Sequence, residues 1–194
     1  MLAPIVASCA GVGEERAPTP IAACMAREGE LSAGASLVRG AGRYHLTLVA
    51  AGGERSVSGA LELVANEPPL RRLPGTAGGG VDDTVLLPLH GWAAIDLGAV
   101  DAVEIGDIAS RDPLQPGVLV LEQRPAATAP VAITLRFGSI ANRRDAAGAV
   151  DGGYTALHVA DVTPWGSFAG TWSSAVHARR VSGHFCATRV GDAR

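Results

Sequence analysis

Apolar and polar residues alternate with a period of two over much of the chain, the signature of strands with one buried face. In residues 44–50, Tyr44, Leu46 and Leu48 share a face; in residues 57–64, Val57, Gly59, Leu61 and Leu63 do so. Gly52-Gly53 lies between these runs, and the pair predicts a β-hairpin. Further strands are predicted over 84–89, 92–97, 118–123, 131–137 and 154–162, the last alternating through Thr155, Leu157 and Val159. Residues 168–176 and 181–190 predict a closing hairpin, and 101–108 alternate weakly. Proline- and glycine-bearing stretches at 66–80, 110–117, 125–130 and 142–153 read as loops. Residues 1–40 lack the alternation. Their Ala-rich part, 22–37, is interrupted by Gly29 and Gly34, so no helix is expected there. The pattern gives an all-β fold: an antiparallel barrel or sandwich of about 8–10 strands over residues 41–194, preceded by an extended N-terminal arm over residues 1–40.

Composition agrees with many short strands and tight turns. The 194 residues include 25 Gly and 12 Pro. Hydrophobic residues make up 47%, but aromatics only 4%, so a core of Val, Leu, Ile and Ala is expected. The net charge of −3 argues against nucleic acid as a partner. All 16 basic residues are Arg, which GC-rich coding explains without a functional cause. No stretch approaches the roughly 20 apolar residues of a membrane-spanning helix.

Three cysteines bear on compartment. Val6-Ala7-Ser8-Cys9 has the form of a bacterial lipoprotein box, an apolar residue and two small ones before the cysteine that takes lipid. The polar stretch from Gly11 to Pro20 reads as a tether. Residues 1–8 are short for a signal peptide and carry no basic residue, so an unmodified Cys9 in an apolar arm is the alternative. With Cys9 lipidated, Cys24 and Cys186 form an even pair. One disulfide between them would tie the arm to the last strand; two buried thiols are the other reading. A disulfide would imply an oxidising compartment such as the periplasm.

No motif for chemistry stands out. The five histidines, His45, His90, His158, His177 and His184, show no metal-ligand spacing, and GxSxG and CxxC are absent. His184 and Cys186 share a strand face and could share a metal; a structural pair is the simpler reading. The acidic residues at Asp82-Asp83, 101–107 and Asp112 lack EF-hand spacing. No catalytic residue, metal or cofactor is expected. Interaction residues are a better prospect. Arg143 and Arg144 sit in the most polar loop. Trp165, between Pro164 and Gly166, should mark a turn and could anchor an interface, as could Trp92, whereas Trp172 reads as core.

The segments Gly138-Ser139-Ile140-Ala141-Asn142-Arg143-Arg144-Asp145, Asp151-Gly152-Gly153-Tyr154-Thr155 and Gly183-His184-Phe185-Cys186-Ala187 resemble those of extracytoplasmic β-proteins of GC-rich bacteria. The nearest functional analogy is to the membrane-extrinsic polypeptides of a bacterial reaction centre–light-harvesting photosystem. That resemblance implies a non-catalytic scaffold on the periplasmic face. Such a protein would be membrane-extrinsic, with or without a lipid anchor, and would meet membrane protein subunits and the membrane surface through its arm and loops. The opening hairpin also resembles the meander of lipocalin-like barrels, which implies a carrier of one small apolar ligand. An exported hydrolase with a dispersed site is the third expectation.

Overall fold

The computed structural model describes residues 24–67, 84–103, 107–124, 130–138, 154–176 and 179–191. Eight antiparallel strands follow one another around a closed barrel: β1 (Gly42–Ala50), β2 (Ser56–Ala65), β3 (Thr84–Ala94), β4 (Val118–Arg124), β5 (Ala132–Phe137), β6 (Tyr154–Val162), β7 (Phe168–Val176) and β8 (Arg179–Arg189). The closing pair is β8 with β1, in register from Tyr44 opposite Arg189 to Ala50 opposite Gly183. Closure leaves no strand edge unpaired, which removes the template for edge-to-edge association. The first hairpin turns through Gly52 and Gly53 at φ 96° and 77°, a left-handed backbone that glycine adopts without steric cost.

Two expectations need correction. The runs 84–89 and 92–97 are not separate strands. Residues 84–94 form the single strand β3, whose register against β4 shifts between Leu86 and Leu89, and 95–97 lie beyond its end. Pro88 sits at that bulge and cannot donate to the ladder. Asn66 takes up the carbonyls left there: its N–H donates to Pro88 O at 2.9 Å, and its side-chain amide donates to Leu87 O at 2.9 Å. Beyond Ala94 the chain enters a 3-10 turn, Leu97–Val100, and the described residues of 101–108 form no strand.

Alternation sends one face of each strand inward. Tyr44, Leu46, Leu48, Leu61, Leu63, Val118, Val120, Ile133, Leu135 and Leu157 are all buried in one continuous core. An eight-stranded barrel is about wide enough for its own side chains to fill it. The core is less purely aliphatic than composition suggests. All three phenylalanines, Phe137, Phe168 and Phe185, lie in it with Tyr44 and Trp172. Phe168 meets Tyr44 and Phe185 edge-on, with centroids 5.1 and 6.0 Å apart. The Trp172 indole crosses Gly183 on β8 and donates to Val49 O on β1 at 3.0 Å. A Cβ at Gly183 would collide with that carbonyl and the indole nitrogen, so glycine is required there. The outward face carries polar His45, Thr47, Ser58, Glu62, Arg136 and Thr171, and on β3 and β4 a second, smaller apolar cluster of Leu87, Leu119 and Leu121 that is separate from the barrel core.

Both mouths are covered. At the mouth where β1 begins, residues 31–41 of the arm cross the opening. Leu31 bridges to Val131, and Leu37 is 1% exposed. Inward-facing Glu122 on β4 holds this segment: its carboxylate accepts from Leu37 N–H at 2.6 Å and from the Ser36 hydroxyl at 2.8 Å. Tyr44 donates to Gly40 O. At the opposite mouth the β3–β4 connection folds inward, burying Leu97, Val100, Ala102 and Ile108. There Thr155 donates to Val103 O, Val103 N–H donates to Ser174 Oγ at 2.7 Å, and the two hydroxyl oxygens lie 2.8 Å apart. Arg55 of the β1–β2 turn adds an ion pair to Asp101 at 2.7 Å. Part of the expected arm, residues 31–40, is therefore a plug packed into the core.

Candidate interaction surface

Cys24 and Cys186 are joined by a disulfide, with Cα atoms 5.7 Å apart across 162 residues of sequence. Cys186 lies on the outer face of β8, between inward-facing Phe185 and Ala187, opposite Thr47 and Ala169. The bond lays the chain at Cys24 against the barrel wall. His184, two residues away on the same face, donates through Nε2 to Cys24 O at 2.9 Å. This corrects the shared-metal idea for His184 and Cys186: the sulfur is bonded to carbon and sulfur, and the imidazole to a carbonyl. Among the described residues no group of three His, Cys, Asp or Glu is placed to hold a metal ion.

From Leu31 the arm runs beside the end of β6. Between them lies an open groove of about 410 Å³, lined by Glu30, Leu31, Ser32, Gly34, Ala35 and Ser36 on one side and Ala160, Asp161 and Val162 on the other. Two carboxylates, Glu30 and Asp161, give the groove an acidic character. Sequence reading missed it, because residues 130 positions apart meet only once the arm crosses the mouth.

The β6–β7 turn follows directly from this groove and carries Trp165, 77% exposed. The turn is braced. Thr163 N–H donates to Ser167 O at 2.8 Å, Gly166 N–H to Thr163 O at 3.0 Å, and Ser167 N–H to Thr163 Oγ1 at 3.1 Å. Gly166 takes φ 84°. Beneath the turn, Arg189 N–H donates to Ser167 Oγ at 3.1 Å, and its guanidinium donates to Ala41 O at 3.0 Å. A large apolar ring on a stiff support loses little entropy on binding, the property of an interface anchor.

Trp92 differs. It is half-buried on the outer face of β3, with the Arg111 guanidinium 4.7 Å from its ring centroid. That stacking occupies one face of the ring, so Trp92 is less available than Trp165. Cys9, Arg143 and Arg144 lie outside the described residues. Trp172, read as core, is 1% exposed.

His90 and His158 sit in structural settings. His90 Nδ1 donates to Asn66 Oδ1 at 2.7 Å, extending the staple on the β3 bulge, and burial lowers its pKa below the ordinary value. His158 faces Thr134 on β5, and burial, with the Arg136 charge next, lowers its pKa. Of Asp96, Asp107 and Asp112, each accepts a backbone N–H two residues on, which places them as turn caps.

No protein-family model, curated protein or solved structure matches the chain.

Proposed function

We propose that the protein is a non-catalytic, membrane-extrinsic scaffold that stabilises a membrane protein complex from its periplasmic side. The observation that carries this reading is the placement of the exposed Trp165 turn beside the acidic groove, at one end of a barrel whose interior is occupied by its own side chains. A barrel built this way offers its binding chemistry outside. The partner surface it fits has an apolar pocket for an indole and a basic group for Glu30 and Asp161. The Cys24–Cys186 bond supports an oxidising compartment. The narrower setting, a reaction centre–light-harvesting complex, rests on the sequence resemblance alone, and lipidation at Cys9 on the sequence motif alone.

The lipocalin-like carrier has weaker support. It needs an internal cavity, whereas the described inward positions are filled and both mouths covered. A hydrolase needs a nucleophile and base brought together, and nothing in the described geometry favours one.

Purification of the native protein in mild detergent, followed by intact mass spectrometry, tests the proposal. The scaffold reading expects co-migration with membrane subunits, and at least a tenfold loss of that association in Trp165→Ala, since an aromatic anchor contributes about 2 kcal/mol or more. A lone chain carrying a small apolar molecule would overturn it in favour of the carrier. A lipid adduct at Cys9 would add the anchor.

A further inference from the structure

Residues 24–41 are held to the barrel in two unlike ways. From Leu31 onward the segment belongs to the core, through Leu31, Leu37 and the Glu122 carboxylate. Residues 25–30 are all exposed. Among the described residues, the bonds that fasten the chain ahead of Leu31 are the Cys24–Cys186 disulfide and the His184–Cys24 O hydrogen bond. Cys186 Sγ also lies 3.8 Å from Met25 O, but a disulfide sulfur carries no proton to donate. Gly29, at φ 144° with open space around its Cα, can act as the pivot between the two parts.

We propose that the Cys24–Cys186 disulfide is a redox latch: its reduction releases residues 24–30 from the outer face of β8 and leaves the plug at 31–41 and the barrel in place. Both cysteines are half-buried at the surface, within reach of a reductant. A dithiol supplies the two electrons. One of its thiolates attacks a cysteine sulfur to form a mixed disulfide, and its second thiol then displaces the remaining cysteine. Two cysteine thiols and one oxidised, disulfide-bonded reductant result. After that step the His184 hydrogen bond and a weak Cys186 S–H contact to Met25 O face the conformational entropy of a whole exposed segment, and entropy wins. Release also uncovers the β8 outer wall around His184 and Cys186. The inference is independent of the scaffold reading.

Backbone ¹⁵N relaxation tests it on three samples: the oxidised protein, the same protein reduced with dithiothreitol, and Cys24→Ser. In the reduced and substituted proteins the order parameters of residues 25–30 are expected to fall from about 0.8 to below about 0.6, with residues 31–41 and β8 unchanged. Reoxidation of the reduced sample restores the starting values. Unaltered order in 25–30 after reduction would overturn the proposal. So would loosening that spreads through 31–41, or unfolding of the barrel. Should Cys24→Ser fail to fold from synthesis, the reduced native chain gives the answer alone.

Discussion

The two mouths of the barrel are closed by different pieces of chain using related chemistry. One is covered by the arm, which reaches it from the outer wall of β8 where the disulfide holds Cys24. The other is covered by the connection between two neighbouring strands. In each case an inward-facing polar side chain near the rim captures the main chain of the covering segment. Glu122 accepts from Leu37 N–H and Ser36, whereas Ser174 and Thr155 engage both the N–H and the C=O of Val103. The arm mouth relies on a buried carboxylate, whose uncompensated burial is costly, and on the buried side chains of Leu31 and Leu37. The connection mouth relies on neutral hydroxyls, and β3 and β4 fix both ends of its cover. Chain connectivity explains the difference: a cover that continues into a strand at one end only needs the stronger hold, and a cover joined to strands at both ends does not.

The largest expected effect lies ahead of the arm mouth, at the disulfide. Removing the disulfide by Cys186→Ser should cost up to about 5 kcal/mol in denaturant unfolding, since its loop spans most of the domain; the chain-entropy argument gives an upper bound. Next come the two apolar plugs. Leu37→Ala and Leu97→Ala each remove a fully buried side chain, one per mouth, and each should cost about 3 kcal/mol. Amide exchange separates them: Leu37→Ala should raise exchange in the arm mouth only, and Leu97→Ala around Val103 only. Smaller again are the latches. Glu122→Ala strands Leu37 N–H and should cost about 2–3 kcal/mol, against about 1–2 kcal/mol for Ser174→Ala, because bonds to a charged acceptor are stronger. Equal costs would mean that the carboxylate has no special part.

The smallest effect concerns the wall between the mouths. Burial holds the folded pKa of His90 below its ordinary 6.5. As pH falls below that value the unfolded chain takes up a proton that folded His90 resists, so its contribution to stability declines with acidification and is level at higher pH. His158 acts in the same direction. Urea unfolding followed against pH should show a shallower acid slope in His90→Gln, with amide exchange at both mouths unchanged.

Much of the barrel wall was legible from alternation alone, because a strand with one apolar face leaves a period of two whatever its neighbours. The first hairpin and the strands now seen as β4 to β8 follow from it. Alternation divides β3 into two runs because Pro88, His90 and Gly91 break the pattern; a bulge stapled by a distant Asn66 restores continuity, and nothing local announces it. The mouths were less legible. Yet Glu122 left a trace, an acid in line with inward Val118 and Val120, as did Thr155 ahead of Leu157 and Val159. A polar residue on an apolar face signals a buried partner, though not which one. Trp165 was legible from its Pro-Gly flanks. The acidic groove was not, because it exists only where the arm passes β6.

The claim that the protein works from its outer surface rests on a filled interior, and methyl NMR with an apolar probe tests this most directly. Xenon and a medium-chain fatty acid should leave the methyl groups of Leu46, Leu61 and Leu135 unshifted up to saturation of the probe. Saturable shifts at those inward leucines would show a cavity that admits ligand, and would contradict the account.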